Sequence, residues 1–331
     1  MKQQFLLEGH RAVNSLLRKL ALGLDRKELN RKIIQLTEQI FGQRMASILL
    51  LNPESNTLHL EYAPNLPDFY NQQIEGVGAG AGIGSCGEAA ALKKAVMVSN
   101  INAHPNWTPF LASTNQANLH ACWSVPIISS HGHVLGTFAI YSQYISEPHE
   151  FELEILELLA SLYSVALEKY ELENQLNFFA NRDSLTHSLN RRALLREAEQ
   201  VLTNRCFTEK VMACLFVDVD KFKSINDTFG HSFGDDVLLA VAKVLDEATT
   251  ACAKIGRYGG DEFVVFSCFD DQESVLNFYR SLERTLEQAL YIDGTQFSVS
   301  VGLSYDKDPE SLEGLIAQAD KNMYQIKQAK S

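Results

Sequence analysis

Cationic side chains are in short supply: 29 lysines and arginines stand against 41 aspartates and glutamates, a net charge of -12. A nucleic-acid backbone or an anionic membrane surface needs a basic face, so neither is the expected partner. Any phosphate ligand must be held locally, with a metal's help. Long apolar runs are missing too. No stretch approaches the roughly eighteen or more apolar residues of a membrane span. The apolar segment Phe5 to Leu24 is interrupted by Glu8, His10, Arg11, Arg18 and Lys19, so it reads as an amphipathic helix rather than a signal peptide. The chain is therefore expected to be cytoplasmic. The six cysteines, Cys86, Cys122, Cys206, Cys214, Cys252 and Cys268, lie far apart with no CxxC pairing. That spacing argues against structural zinc and against a disulfide framework. Cys86 and Cys122 stay open as a redox pair or as ordinary core thiols, since free cysteine is among the most buried residue types.

What is present suits two globular domains of roughly 150 residues each: the chain has 331 residues, 46% of them apolar and 21% charged. In the first half an amphipathic stretch, Asp25 to Phe41, precedes the strand-like Ala46 to Leu51. Asn52 to Asn56 then make a turn before Thr57 to Tyr62. A glycine-rich stretch, Gly76 to Gly87, leads into a helix predicted over Glu88 to Lys94 and a strand over Ala95 to Ser99. Cys122 to Ile128, the His131-Gly132 turn and Val134 to Tyr141 read as an antiparallel hairpin. The layout is α+β, a central antiparallel sheet flanked by helices.

Gly84-Ser85-Cys86-Gly87, Asn100-Ile101 ahead of Pro105 and Trp107, Cys122-Trp123-Ser124-Val125-Pro126-Ile127 and Val134-Leu135-Gly136-Thr137-Phe138 together resemble a GAF sensor domain. The likeness implies a sensor over residues 1–168, answering to a small-molecule or redox signal of unnamed chemistry. From Glu150 to Phe179, leucines and other apolar residues recur at three-four spacing between charges. Up to about Leu167 this reads as the last helix of that domain. The continuation, 169–180, reads as a helical linker whose seam pairs with a second copy, giving a homodimer.

The second half, 181–331, opens on Asp183-Ser184-Leu185-Thr186 and Asn190-Arg191-Arg192. An apolar strand, Val211 to Val217, then runs into Asp218, Val219 and Asp220. Further on, Arg257-Tyr258-Gly259-Gly260-Asp261-Glu262-Phe263 sits between two strand-like runs. A DxD by itself is often a solvated strand end or a cap. In the second motif paired glycines are expected to supply the positive φ angles of a tight hairpin and room for a phosphate beside the backbone. The remaining order is predicted as strand (Val211 to Val219), two helices (Lys221 to Asn226, Phe233 to Ala248), hairpin (Ala253 to Phe266), helix (Glu273 to Ala289), strand (Thr295 to Ser304) and helix (Ser311 to Lys327), a ferredoxin-like palm.

Together with Phe222-Lys223, Ile225-Asn226-Asp227, Gly230-His231 and Gly234-Asp235, these motifs resemble the GGDEF family of diguanylate cyclases. The resemblance implies condensation of two GTP into cyclic di-GMP and two pyrophosphates, under control of the N-terminal domain. Negative charge then develops on the attacking 3′-oxygen and on the departing one, and magnesium, or manganese, would neutralise it. Hard oxygen ligands suit such an ion: Asp218, the Val219 carbonyl, Asp261 and Glu262. Asp261 is by resemblance the general base for the 3′-hydroxyl, although its division of labour with Glu262 stays open. Lys223 is either a solvated surface lysine or a cation aimed at phosphate. Lys327 is a second phosphate lysine or a dipole-favoured residue of a C-terminal helix.

By the same resemblance Asn226 and Asp235 read guanine, whose N1–H and N2–H a carboxylate accepts as a pair. His231 is a substrate contact or a plain loop histidine. Three departures from the family pattern are visible. His187 stands where many relatives have glycine, and Ser331 stands where they have a triphosphate arginine, so triphosphate affinity is expected to be reduced. Thr250 and Ala253 replace the RxxD pair that binds inhibitory product, so tight product inhibition is not expected. Two other readings remain: a catalytically silent domain that binds GTP or cyclic di-GMP as a receptor, and a ligand-binding GAF dimerisation protein whose second half is secondary.

Overall fold

The computed structural model describes residues 2–42, 44–203, 210–249, 253–292, 294–307, 309 and 311–330. They form two compact units, Met1–Asn174 and Gln175–Ser331. The first contains α1 (Lys2–Ala21), α2 (Arg26–Phe41), β1 (Met45–Asn52), β2 (Thr57–Tyr62), α3 (Asp68–Ile74), β3 (Val77–Gly78), α4 (Gly84–Leu92), β4 (Val96–Val98), α5 (Leu111–Gln116), β5 (Ala121–Ile128) and β6 (Val134–Ser142). Helix α6 (Glu150–Asn181) begins in this unit and runs on into the second.

Its sheet is antiparallel in the order β3-β2-β1-β6-β5-β4. The period of two along each strand divides the core. Ile48, Trp123 and Ile140 pack with α1, α2 and α6 on one face, while their neighbours Leu49, Cys122 and Tyr141 pack with Tyr70, Cys86 and Trp107 on the other. Local chemistry sets the breaks: Asp25 caps α2 by accepting from Glu28 N at 2.9 Å, and Gly132 takes φ +78° in the β5–β6 turn. Helix α4 begins at Gly84, inside the glycine-rich stretch and ahead of the start expected at Glu88. A Cβ on Gly87 would strike the Gly78 carbonyl and Ile83, so that glycine serves close packing rather than loop freedom.

The second unit holds β7 (Leu189–Asn190), α7 (Arg191–Thr203), β8 (Val211–Val219), α8 (Phe222–Phe229), α9 (His231–Ala248), β9 (Lys254–Arg257), β10 (Glu262–Phe269), α10 (Gln272–Ala289), β11 (Tyr291–Ile292), β12 (Thr295–Gln296), β13 (Val299–Asp306) and α11 (Leu312–Lys330). Its main sheet runs β13-β8-β10-β9-β7, antiparallel except for the β7–β9 pair. Helices α8, α9 and α10 cover the face of Leu215, Val217 and Phe263. Helices α7 and α11 cover the face of Cys214, Phe216 and Val264. Interior strand β8 is therefore buried along its whole length, which is why Val211 to Val217 is an unbroken apolar run. This is the ferredoxin-like palm, in an α+β chain.

Two differences from expectation lie at the site end of the second unit. The strand expected over Thr295 to Ser304 is split, because Phe297 turns into the core and its N–H bonds Leu290 O at 3.0 Å. Lys221, expected to open a helix, precedes it at φ +56°. No helix among the described residues is long and apolar enough to cross a membrane.

Candidate active site

Asp218 is the last even-numbered residue of β8, on the face it shares with Phe216 and Cys214, and antiparallel register sets Glu262 of β10 directly opposite it. Like charges facing each other across a strand pair are destabilising, so two carboxylates here work against stability. Asp218 is only 7% exposed. Burial pushes its carboxyl up from the ordinary aspartate range, the nearby Asp261 and Asp220 charges add to this, and Lys327 opposes it. Glu262 is pushed up first by burial, then by Asp218, Asp261 and Asp320.

Lys327, in the last turn of α11, forms an ion pair with Asp218. Burial alone would lower its pKa, but the Asp218 hydrogen bond and the surrounding negative charge outweigh that and raise it. One lysine thus offsets part of the charge of an acidic notch at the ends of β8 and β10.

The Gly259-Gly260 turn is built differently from expectation. Neither glycine has positive φ. The turn closes through Tyr258 N and Gly259 N, which donate to Glu262 O at 2.7 and 3.3 Å. Glycine at 259 leaves the space where the Glu262 carboxylate folds back, and a Cβ at Gly260 would meet nothing within 4 Å. At Gly259 the absence of a side chain, not of backbone restriction, is what this turn uses. Arg257 grips it from behind: Nε and Nη2 donate to Gly260 O at 3.1 and 2.6 Å, and Nη1 donates to Asp183 Oδ1 at 3.0 Å. Burial would raise the Asp183 carboxyl, but its bonds to Thr186 and Arg257 bring it below the usual range. Val219 N donates to Asp261 O at 3.2 Å, which fixes the turn against the end of β8. His187, at φ +56°, occupies a left-handed position that favours glycine.

On the other side of β8, α8 and α9 meet at Gly230, φ +89°. The Asn226 side chain lies where a Cβ on Gly234 would stand, so it abuts the backbone just ahead of Asp235. The crossing brings Asn226 and Asp235 to one corner. His231 begins α9 and Lys223 lies on α8; both are exposed, as is Asp235. A groove of about 350 Å³ between α8 and the start of β13 is lined by Asp220, Lys221, Ser298, Lys327 and Lys330. Of the expected site residues, Lys327 alone lines it.

Residues outside the sequence expectation contribute here. Ser298 and Ser300 each donate to Asp220 at 2.7 Å, and Lys330 Nζ lies 3.7 Å from it. Asp220 is thereby a braced carboxylate. No motif pointed to these serines; β13 carries them to the site.

Among the described residues, no group of three or more His, Cys, Asp or Glu side chains is gathered closely enough to hold a metal ion. The full cage expected of Asp218, Asp261 and Glu262 is thus not preformed. Magnesium nevertheless commonly binds through one or two carboxylates plus substrate phosphates. Hard oxygens on facing strands, beside open space at Gly260, fit that mode. Ala253 is half-buried just before β9, and Thr250 lies outside the described residues.

Residues 180–331 match the family model "Diguanylate cyclase, GGDEF domain", and residues 23–168 match that of the GAF domain. Diguanylate cyclase A of Treponema denticola is 29% identical over 58% of this chain and 53% of its own length. Diguanylate cyclase DgcM of Escherichia coli is 30% identical over 48% of this chain and 39% of its own length. This chain therefore spans about half or less of the length of these curated relatives. Among solved structures, a sensory box/GGDEF family protein from Caulobacter crescentus is 31% identical, over 45% of this chain and 99% of that one, with a TM-score of 0.42.

Proposed function

We propose, because residues 180–331 match the GGDEF-domain family model and residues 23–168 that of the GAF domain, that the chain is a diguanylate cyclase that condenses two GTP into cyclic di-GMP, with the GAF domain regulating it. The observation that carries this reading is the facing pair Asp218 and Glu262, held at strand ends under Lys327. A fold that only needed stability would not oppose two carboxylates there.

Asp218, the Val219 carbonyl, Asp261 and Glu262 are the residues that would hold magnesium, which supplies charge neutralisation at the α-phosphate. Asp261, on the turn clamped by Arg257, is the base that takes the 3′-hydroxyl proton. Lys223 and Lys327 offer cations to the phosphates. Lys327 can do so by exchanging Asp218 for phosphate when positive charge arrives. Asp235 accepts the N1–H and N2–H pair of guanine and Asn226 reads the same base. Adenine lacks that donor pair, so ATP would leave the carboxylate unpaired. His231 is close enough in sequence to this corner to touch the substrate.

One such domain holds half of a two-fold product, so two protomers must face each other. Leu172, Leu176 and Phe179 of α6, at 57%, 60% and 74% exposure, offer a seam for that pairing. Nothing in the chain calls for a membrane or nucleic acid, and we assign it to the cytoplasm.

The test is incubation of the purified chain with GTP and magnesium. Cyclic di-GMP and pyrophosphate are expected. GTP that is bound but returned intact would replace this reading with that of a silent receptor.

A further inference from the structure

On the face of the N-terminal sheet away from α1 and α6, two thiols meet. Cys86 is the third residue of α4 and Cys122 the second of β5; both are buried. Both side chains belong to one buried cluster, and Cys122 is the ladder partner of Tyr141, the residue whose hydroxyl reaches Cys86. Polar groups converge on them: Ser124 Oγ lies 3.5 Å and Tyr141 Oη 3.9 Å from Cys86 Sγ. Ser85 Oγ donates to the Cys122 carbonyl at 3.2 Å, tying the first turn of α4 to β5.

Beside the thiols is a cavity of about 20 Å³, lined in part by Ser85, Cys86, Tyr70, Trp107 and Tyr141. That is room for one water-sized molecule. Tyr70 Oη and Trp107 Nε1 are buried without a partner in hydrogen-bonding geometry among the described residues. An apolar core has no use for two unpaired donors, whereas an oxygen-bearing guest, or an oxygen added to sulfur, would use both. The two sulfurs also differ. The neighbouring Cys122 and then Ser124 favour the Cys86 thiolate and together outweigh burial; burial instead pushes the Cys122 thiol up. Position in the first turn of α4 acts on Cys86 in the same direction.

We propose that Cys86 is a peroxide-reactive thiol and that Cys122 resolves it, so that this core carries a reversible Cys86–Cys122 disulfide. The Cys86 thiolate attacks one oxygen of hydrogen peroxide. The O–O bond breaks, and the departing hydroxide takes up the thiol's proton and leaves as water. Cys86 is then a sulfenic acid, oxidised by two electrons, its oxygen in the cavity with Tyr70 and Trp107. Cys122, as thiolate, attacks that sulfur. The S–O bond breaks, the second hydroxide leaves as water with the Cys122 proton, and the S–S bond closes. Two thiols and one peroxide give one disulfide and two waters. The product pins α4 to β5.

The test needs no nucleotide, so its outcome is separate from the cyclase reading. The reduced full chain is treated with a few equivalents of hydrogen peroxide, unfolded in alkylating reagent, digested and analysed by mass spectrometry. A peptide pair joined through Cys86 and Cys122, lighter by two hydrogens and released by dithiothreitol, is expected. In Cys122→Ser, dimedone should trap the sulfenic acid at Cys86. In Cys86→Ser, oxidation at Cys122 should slow on the order of tenfold. Recovery of Cys86 and Cys122 as fully alkylated thiols from the wild-type chain, while other cysteines consume the peroxide, overturns the proposal. So does unchanged Cys122 oxidation in Cys86→Ser.

Discussion

Replacing Lys327 with methionine keeps the length of the side chain and removes the charge that answers Asp218. The carboxylate side chain is 10% exposed and the lysine 34%. Breaking a fully buried pair costs about 3–5 kcal/mol, whereas an exposed one is worth ~0–1 kcal/mol. A buried acid with a partly solvated partner falls between these, at about 2 kcal/mol. For a unit of this size that is roughly 4–8 °C in Tm. The pH dependence follows from the sign. The Asp218 carboxyl already stands above the ordinary range through burial and the Asp261 and Asp220 charges, and loss of the lysine raises it further. A carboxyl whose folded pKa exceeds its unfolded value costs stability when ionised, and that cost fades as pH falls through the folded pKa. The deficit of Lys327→Met is therefore largest near neutrality and shrinks on acidification. Magnesium should recover part of it, since ligand binding to the folded form adds about 2.7 kcal/mol at a hundred times Kd. Thermal melts of both proteins from pH 5 to 8, with and without millimolar magnesium, measure this. Equal melting temperatures throughout, or a deficit that grows on acidification, would refute the reasoning.

Asp235→Ser should relax the preference for guanine and admit some adenine-containing product, read by chromatography of GTP–ATP mixtures; undiminished selectivity would place base reading elsewhere. Specific activity should fall as protein is diluted, because each protomer holds half of the product; a rate independent of concentration in a protein shown to be monomeric would contradict the dimer. Initial rates with added cyclic di-GMP should show no tight inhibition, since Thr250 and Ala253 cannot supply a guanidinium and a carboxylate. Half-inhibition at low micromolar product that persists at high GTP would reveal a working feedback site.

The elements were legible where one local rule governed them. The apolar run Val211 to Val217 is a strand covered on both faces, and the three-four spacing from Glu150 is a helix. Misreadings arose where packing overrode local preference. Position 87, inside a helix, is glycine because Gly78 O leaves no room for a Cβ, and Gly259 is kept clear for the Glu262 carboxylate rather than for φ. Motif spacing drew attention to Asp218 and Glu262, but only strand register sets them opposite each other. Ser298 and Ser300 carried no signal, because their part comes from where β13 lies in the fold. His187 was visible as a departure; its φ of +56° gives that departure a cost.

The measurement that bears most directly on the proposed activity compares the wild-type chain with Asp261→Ala and Glu262→Ala, each shown by melting to be folded, under GTP and magnesium. Wild-type protein should release two pyrophosphates per cyclic di-GMP. Each variant should lose on the order of 10²–10³-fold in rate, the size of effect seen when one charge-stabilising group leaves an active site. Substantial cyclic di-GMP from both variants, or none from the wild-type chain with magnesium or manganese, would contradict the assignment of the acidic strand ends as the catalytic site.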